Sequence, residues 1–152
     1  FKTGISADLR KKLLQSGGVD GYRLKEYGTL IMTDANRKTY PMVVGGQKVL
    51  QGMAYGTDAS GTFKDSIYET VDNRYRYTSV LVGMPASQYK VDYAFRGYAT
   101  LTKDGQDITI YGPTVAKNIY SLAEQLLQMK IYEEGSDADL YLRKLIKDAD
   151  KQ

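Results

Sequence analysis

A chain of 152 residues, 42% hydrophobic and 26% charged, is sized for one domain with a sizeable core and is too short for two comfortable ones. Its net charge of +3, with Lys and Arg mixed among Asp and Glu, is too small to imply a nucleic-acid partner, and no apolar run approaches the roughly 20 residues of a membrane-spanning helix. With no cysteine and no histidine, the chain has no disulfides, no thiolate nucleophile, no sulfur-held zinc and no imidazole base.

The first residues, Phe1 to Ile5, read as a strand already under way, so the chain is expected to be a single domain, 1–152, of a longer multidomain protein. Ser6 is a plausible N-cap for the helix ADLRKKLLQ, with Ile5 as a staple and Leu9, Leu13 and Leu14 as its buried stripe, and Ser16-Gly17-Gly18 ends it. Tyr22 to Met32 is a strong strand. Leu24, Leu30 and Met32 fall in one phase and Tyr27 and Ile31 in the other, which predicts cover on both faces and a central place in a sheet. Thr33 to Tyr40 reads as a polar loop or one helical turn, Met42 to Met53 as a strand interrupted by Gly45-Gly46, and residues 54–65 as a long loop. Ile67 to Val71 is a short strand, and Arg74 to Val82 alternates tyrosines against arginines as a half-buried strand does.

From Tyr93 the period, turn and breaker signals agree. Tyr93, Phe95, Gly97, Ala99 and Leu101 alternate, and Asp104-Gly105 is the dipeptide of a two-residue type I′ turn. This turn pairs Lys103 with Gln106, Leu101 with Ile108, Ala99 with Ile110 and Tyr98 with Tyr111, keeping the apolar partners on one face. Gly112-Pro113 is expected to stop the sheet, and Ile119, Leu122, Ala123, Leu126 and Leu127 then form the stripe of a helix within 115–129, which is expected to cover Tyr98 and Tyr111. After Glu133-Glu134-Gly135, Ser136 caps a last helix carrying Tyr141, Leu142, Leu145, Ile146 and Ala149.

Few residues suggest chemistry. Glu133, Glu134, Asp137 and Asp139 could be drawn as a calcium site, but the spaced Asp loop of such sites is missing, and acids in a first helical turn answer to the helix dipole. The glycines of Val44-Gly45-Gly46 and of 52–61 fit neither a phosphate loop nor a dinucleotide fingerprint. Tyrosine is the outlier, with 14 against 3 phenylalanines and no tryptophan. Its ring and hydroxyl suit a half-wet sheet face as well as a ligand platform, and Tyr55, Tyr75, Tyr77, Tyr98 and Tyr111 are the candidate ligand-binding residues. No catalytic residue, metal ligand or cofactor site is assigned.

The order of FKTGIS, LKEYGTLI, FRGYATL, ITIYG and KNIYSLA resembles an uncharacterised β-sandwich module of large secreted or wall-attached surface proteins of gut Gram-positive bacteria. These motifs are packing signatures, and the middle of the chain, about Pro41 to Val71, lies outside the resemblance. The resemblance implies an extracellular, cell-surface or cell-wall setting and a non-enzymatic part in a multidomain protein, with other domains of the same chain, a glycan or a host or cell-wall protein as partners.

The expected fold is mainly β: an antiparallel two-sheet sandwich with one short N-terminal helix and two C-terminal helices, the alternative being an α+β arrangement with one antiparallel sheet and helices on one face. The expected function is a structural or adhesive interaction module. The alternative is a carbohydrate-binding module using exposed tyrosines, and an enzyme would need two acids facing each other across a cleft.

Overall fold

Two antiparallel sheets face each other in a computed structural model that describes residues 2–152. Phe1, placed in the first strand by its sequence, lies outside the described residues. The strands are β1 (Lys2–Ser6), β2 (Arg23–Thr33), β3 (Leu50–Thr57), β4 (Phe63–Asp65), β5 (Glu69–Val71), β6 (Arg74–Thr78), β7 (Tyr93–Lys103) and β8 (Gln106–Lys117). The helices are α1 (Ala7–Leu14), α2 (Asp34–Arg37), α3 (Ile119–Gln128) and α4 (Asp137–Asp150). A three-stranded sheet in the order β1-β6-β5 packs on a five-stranded sheet in the order β4-β3-β2-β7-β8, so the chain is a mainly β sandwich.

The hairpin of β7 and β8 forms in the register its sequence dictates, with Leu101 opposite Ile108, Ala99 opposite Ile110 and Tyr98 opposite Tyr111. Asp104 and Gly105 both have positive φ, 51° and 78°, as a type I′ turn requires. The sheet does not stop at Gly112-Pro113. Those two residues stand against Gly97 alone, a bulge that carries β8 on to Lys117. Proline is tolerated there because β8 is an edge strand and no outer neighbour calls on its missing N–H.

Strand β2 is central, as its two-sided pattern implied, but a bulge at Lys25 changes its phase. Leu24 therefore joins Tyr27 on the inner face, while Leu30 and Met32 point outward. The inner core gathers Leu13, Leu24, Tyr27, Ala54 and Tyr77, with Ile5, Ala99 and Leu101 against it. The outer core gathers Leu30, Met32, Met42, Ala94 and Tyr98.

Several expected boundaries move. Residues 54–65 are largely a hairpin of β3 and β4, because Tyr55 pairs with Asp65 and Thr57 with Phe63. The expected strand from Met42 is a loop up to Val49, and its apolar residues fold over the outer face of the large sheet. Strand β5 begins only at Glu69 and β6 ends at Thr78. In α1 Leu13 is buried, whereas Leu9 and Leu14 are exposed and Arg10 takes the second inward position. Helix α3 begins at Ile119, where the Asn118 side chain accepts from the Ser121 N–H at 2.7 Å, and it packs on α4. The buried tyrosine Tyr98 is covered by the 40–49 loop and not by α3. Arg96 donates to the Met42 carbonyl at 3.1 Å, and the Val44 N–H donates to the Tyr111 hydroxyl at 3.2 Å, fixing that loop.

Candidate functional site

The two sheets are tied by polar contacts that a fully apolar core could not supply. Tyr77 on β6 donates its hydroxyl proton to the Gly28 carbonyl on β2 at 2.9 Å, and the hydroxyls of Thr3 on β1 and Thr29 on β2 lie 2.8 Å apart. These bonds satisfy groups that burial would otherwise strand and fix which strand lies over which. Burial holds the Tyr77 hydroxyl protonated far above its ordinary range.

One flank of the sandwich is closed by Arg10. Its guanidinium is buried, donates to the Tyr27 hydroxyl at 3.1 Å and to the Asp65 carboxylate at 2.6 Å, and lies 5.1 Å from the ring centre of Tyr55 and 5.3 Å from that of Tyr75. Tyr27 and Tyr55 are cross-strand partners with rings stacked at 5.4 Å, and Phe63 meets Tyr55 edge-on at 5.3 Å. The cage is filled by the protein's own cation, so α1, β2, β3, β4 and β6 are locked together. Desolvation raises the Tyr27 pKa, opposed by the Arg10 hydrogen bond.

The opposite flank is open. A cleft of about 620 Å³ runs between β1 and the inner face of β7 and β8, floored by Ala99, Leu101, Ile110 and Val115 and walled by Ile5, Leu9 and Leu13. It exists because three strands face five: β6 lies over β2 and β1 lies over β7, leaving no strand among the described residues over β8. Ile108, Ile110 and Val115 on β8 are 49%, 50% and 40% exposed. Among the described residues lining the cleft, Asp20 is the only acid, and Lys2 and Arg74 are cations at its rim.

The five tyrosines singled out by sequence do not form one platform. Tyr77 and Tyr98 are each only 3% exposed and sit in different cores on opposite faces of the large sheet, and both, with Tyr111, contribute to the lining of the cleft. Tyr55 and Tyr75 flank the Arg10 guanidinium, and Tyr111 packs in the outer core beneath Arg96, whose guanidinium is 4.5 Å from its ring centre. Burial pushes the Tyr98 pKa up to about 12, and its oxygen accepts from Gln51 at 2.7 Å.

The acids near the last helix act as a cap. Ser136 accepts from the Asp139 N–H at 3.3 Å, and Asp139 accepts from Arg143 at 2.9 Å and from the Gly135 N–H at 3.0 Å. No group of three or more Asp or Glu side chains among the described residues is placed to hold a metal ion. Arg10, Gly97 and Ile110 are the site residues that sequence reasoning passed over. Arg10 left a trace, standing three residues before Leu13 on the buried side of α1.

No family model, curated protein or solved structure matches the chain.

Proposed function

We propose that this domain is a non-enzymatic interaction module of an extracellular bacterial surface protein and that it binds its partner through the cleft between β1 and β8. The observation that carries the proposal is the half-exposed cleft floor of Ile110 and Val115, continued outside the cleft by Ile108, on a sheet whose neighbouring inner-face positions are packed. Apolar side chains left in water beside a formed core stabilise whatever covers them, at about 25 cal/mol for each Å² removed from solvent. Among the described residues a single carboxylate, Asp20, lines the cleft, and these residues offer no facing pair of acids for general acid and base work. The surface-protein setting is supported by the resemblance of the packing motifs alone.

A carbohydrate platform would need rings side by side in solvent. Two of the five candidate tyrosines are buried and two more flank a guanidinium; Tyr77, Tyr98 and Tyr111 do line the cleft, but its exposed floor is the aliphatic pair Ile110 and Val115, which favours an apolar partner over a stacked sugar.

Binding of anilinonaphthalene sulfonate, whose fluorescence rises in an apolar site, tests the proposal. The wild-type protein should enhance the fluorescence, while Ile110→Asp and Val115→Asp should lose the enhancement and keep the wild-type melting temperature, since both side chains already face solvent. An unresponsive wild type, or variants that respond as the wild type does, would sink the cleft as a binding surface.

A further inference from the structure

We infer that the cleft is a vacant strand position and that its occupant is an extended polypeptide segment, of alternating apolar residues with an acid at one end, which pairs with the free edge of β1. The inference rests on the cleft being the binding surface proposed above and names what fills it.

The backbone of β1 supplies the first reason. Asp72 and Asn73, with φ of 48° and 58°, form a two-residue turn that makes Val71 and Arg74 the closing pair of the β5–β6 hairpin. Alternation then directs the backbone groups of Tyr75 and Tyr77 toward β1, where they face Ile5 and Thr3. The N–H and C=O groups of Lys2, Gly4 and Ser6 consequently point away from β6. All five residues of β1, from both of its faces, line the cleft, which is therefore met by the strand's edge. An acyl chain would leave those backbone groups without partners, whereas a peptide strand would satisfy them.

The other edges of the two sheets supply the second reason. Strands β4 and β5 are only three residues long, and β8 is broken by a bulge containing Pro113. Short strands, bulges and prolines are the devices that keep sheet edges from recruiting strands. β1 has five residues, no proline and no bulge. A strand added there, about 4.8 Å from β1, would lie over β8 and cover Ile110 and Val115 with every second side chain.

Charge sets one flank of the segment. Arg74, opposite Ser6 at one end of β1, has no ion-pair partner among the described residues, and Lys2 stands at the other end beside Glu69. An acid at the Ser6 end of the segment complements Arg74, whereas Lys2 is already paired with Glu69 at 3.2 Å.

The test uses the blocked peptide Asp-Val-Thr-Val-Thr-Val-Asp, followed by amide NMR on the labelled domain. Binding should move the resonances of Gly4, Ser6 and Ile110 and slow exchange of the outward amides of β1. Gly4→Pro removes one outward donor on an edge strand and leaves the β6 ladder intact, so it should fold and bind about tenfold more weakly or worse. A peptide with alternate backbone nitrogens methylated should not bind. Equal binding by wild type and Gly4→Pro overturns strand addition. Displacement of anilinonaphthalene sulfonate by decanoate but not by the peptide overturns it too, while the cleft stands as an acyl site. A dimer in sedimentation that Gly4→Pro dissolves overturns the foreign segment in favour of a second copy. If the wild type binds neither dye nor peptide, the cleft itself falls.

Discussion

The side chain of Thr3 occupies the space that a side chain on Gly97 would need: a Cβ at Gly97 would lie 2.7 Å from Thr3 Cγ2. The glycine lets β1 lie close over β7 while Thr3 reaches the Thr29 hydroxyl at 2.8 Å. Gly97→Ala should therefore cost about 1–3 kcal/mol by overpacking. Thr3→Ser keeps the hydroxyl and removes the methyl, so adding it to Gly97→Ala should recover most of the loss in a double-mutant cycle read by urea unfolding. If the two changes were simply additive, the close approach of the sheets would not be the cause.

Arg10 is the fastener on the closed flank. Arg10→Ala should lower stability by about 2–4 kcal/mol, from lost packing and an orphaned Tyr27 hydroxyl. Asp65 is 43% exposed, so water can replace its partner and Asp65→Asn should cost less than about 1 kcal/mol. Lysine lacks the planar fork, so Arg10→Lys should stay nearer to alanine than to arginine. Denaturant midpoints of the three variants check the order.

Gly105→Val places a β-branched residue at a φ of 78°, where nothing lies within 4 Å and only backbone strain opposes it. The expected cost is about 1–3 kcal/mol, seen as a melting temperature lower by roughly 2–10 °C. An unchanged melting temperature would remove the type I′ turn as the element that sets the β7–β8 register.

Acid should loosen the β3–β4 hairpin late. The Asp58 carboxylate accepts from the Ser60 hydroxyl at 2.6 Å and from the Ser60 and Thr62 N–H groups at 3.0 Å, which hold its pKa down at about 2. A depressed carboxylate contributes stability that is present above its unfolded pKa of about 4 and is lost as pH falls through the folded value of about 2. Carboxyl NMR should find Asp58 titrating well below the other exposed acids, and Asp58→Asn should flatten the stability profile between those limits. Titration of Asp58 near 4 would exclude the side-chain turn.

Alkali should attack the outer core. Tyr98 is raised to about 12 by burial, so the stability tied to its protonated form is complete below about 10 and is lost as pH rises through the folded value. Phenolate absorbance should resolve a late tyrosine that Tyr98→Phe removes. Replacing both Tyr98 and Tyr111 by alanine should cost several kcal/mol, about 3–5 for a buried aromatic, because the loop carrying Met42 and Val44 loses its floor.

Local chemistry settled a good part of this protein. Ser6 and Ser136 cap the helices they precede, Asp104-Gly105 turns as its dipeptide requires, and the pairing of Leu101 with Ile108 follows from the turn because one residue of slip would put every apolar side chain on the wrong face. The alternation of Arg74 to Tyr77 likewise anticipated a half-buried strand.

What the sequence left open depended on partners distant along the chain. Gly112-Pro113 reads as a stop and is a bulge, because whether a missing N–H matters depends on whether another strand lies beyond it. Tyr77, Tyr98 and Tyr55 are alike in sequence yet buried, buried and stacked on Tyr27, since period shows that a side chain alternates but not which face is covered. The cleft was least legible of all. It arises from the offset of three strands against five, and that offset is set by Thr3 on Gly97, Tyr77 on Gly28 and Arg10 on Asp65, contacts that tertiary packing alone brings together.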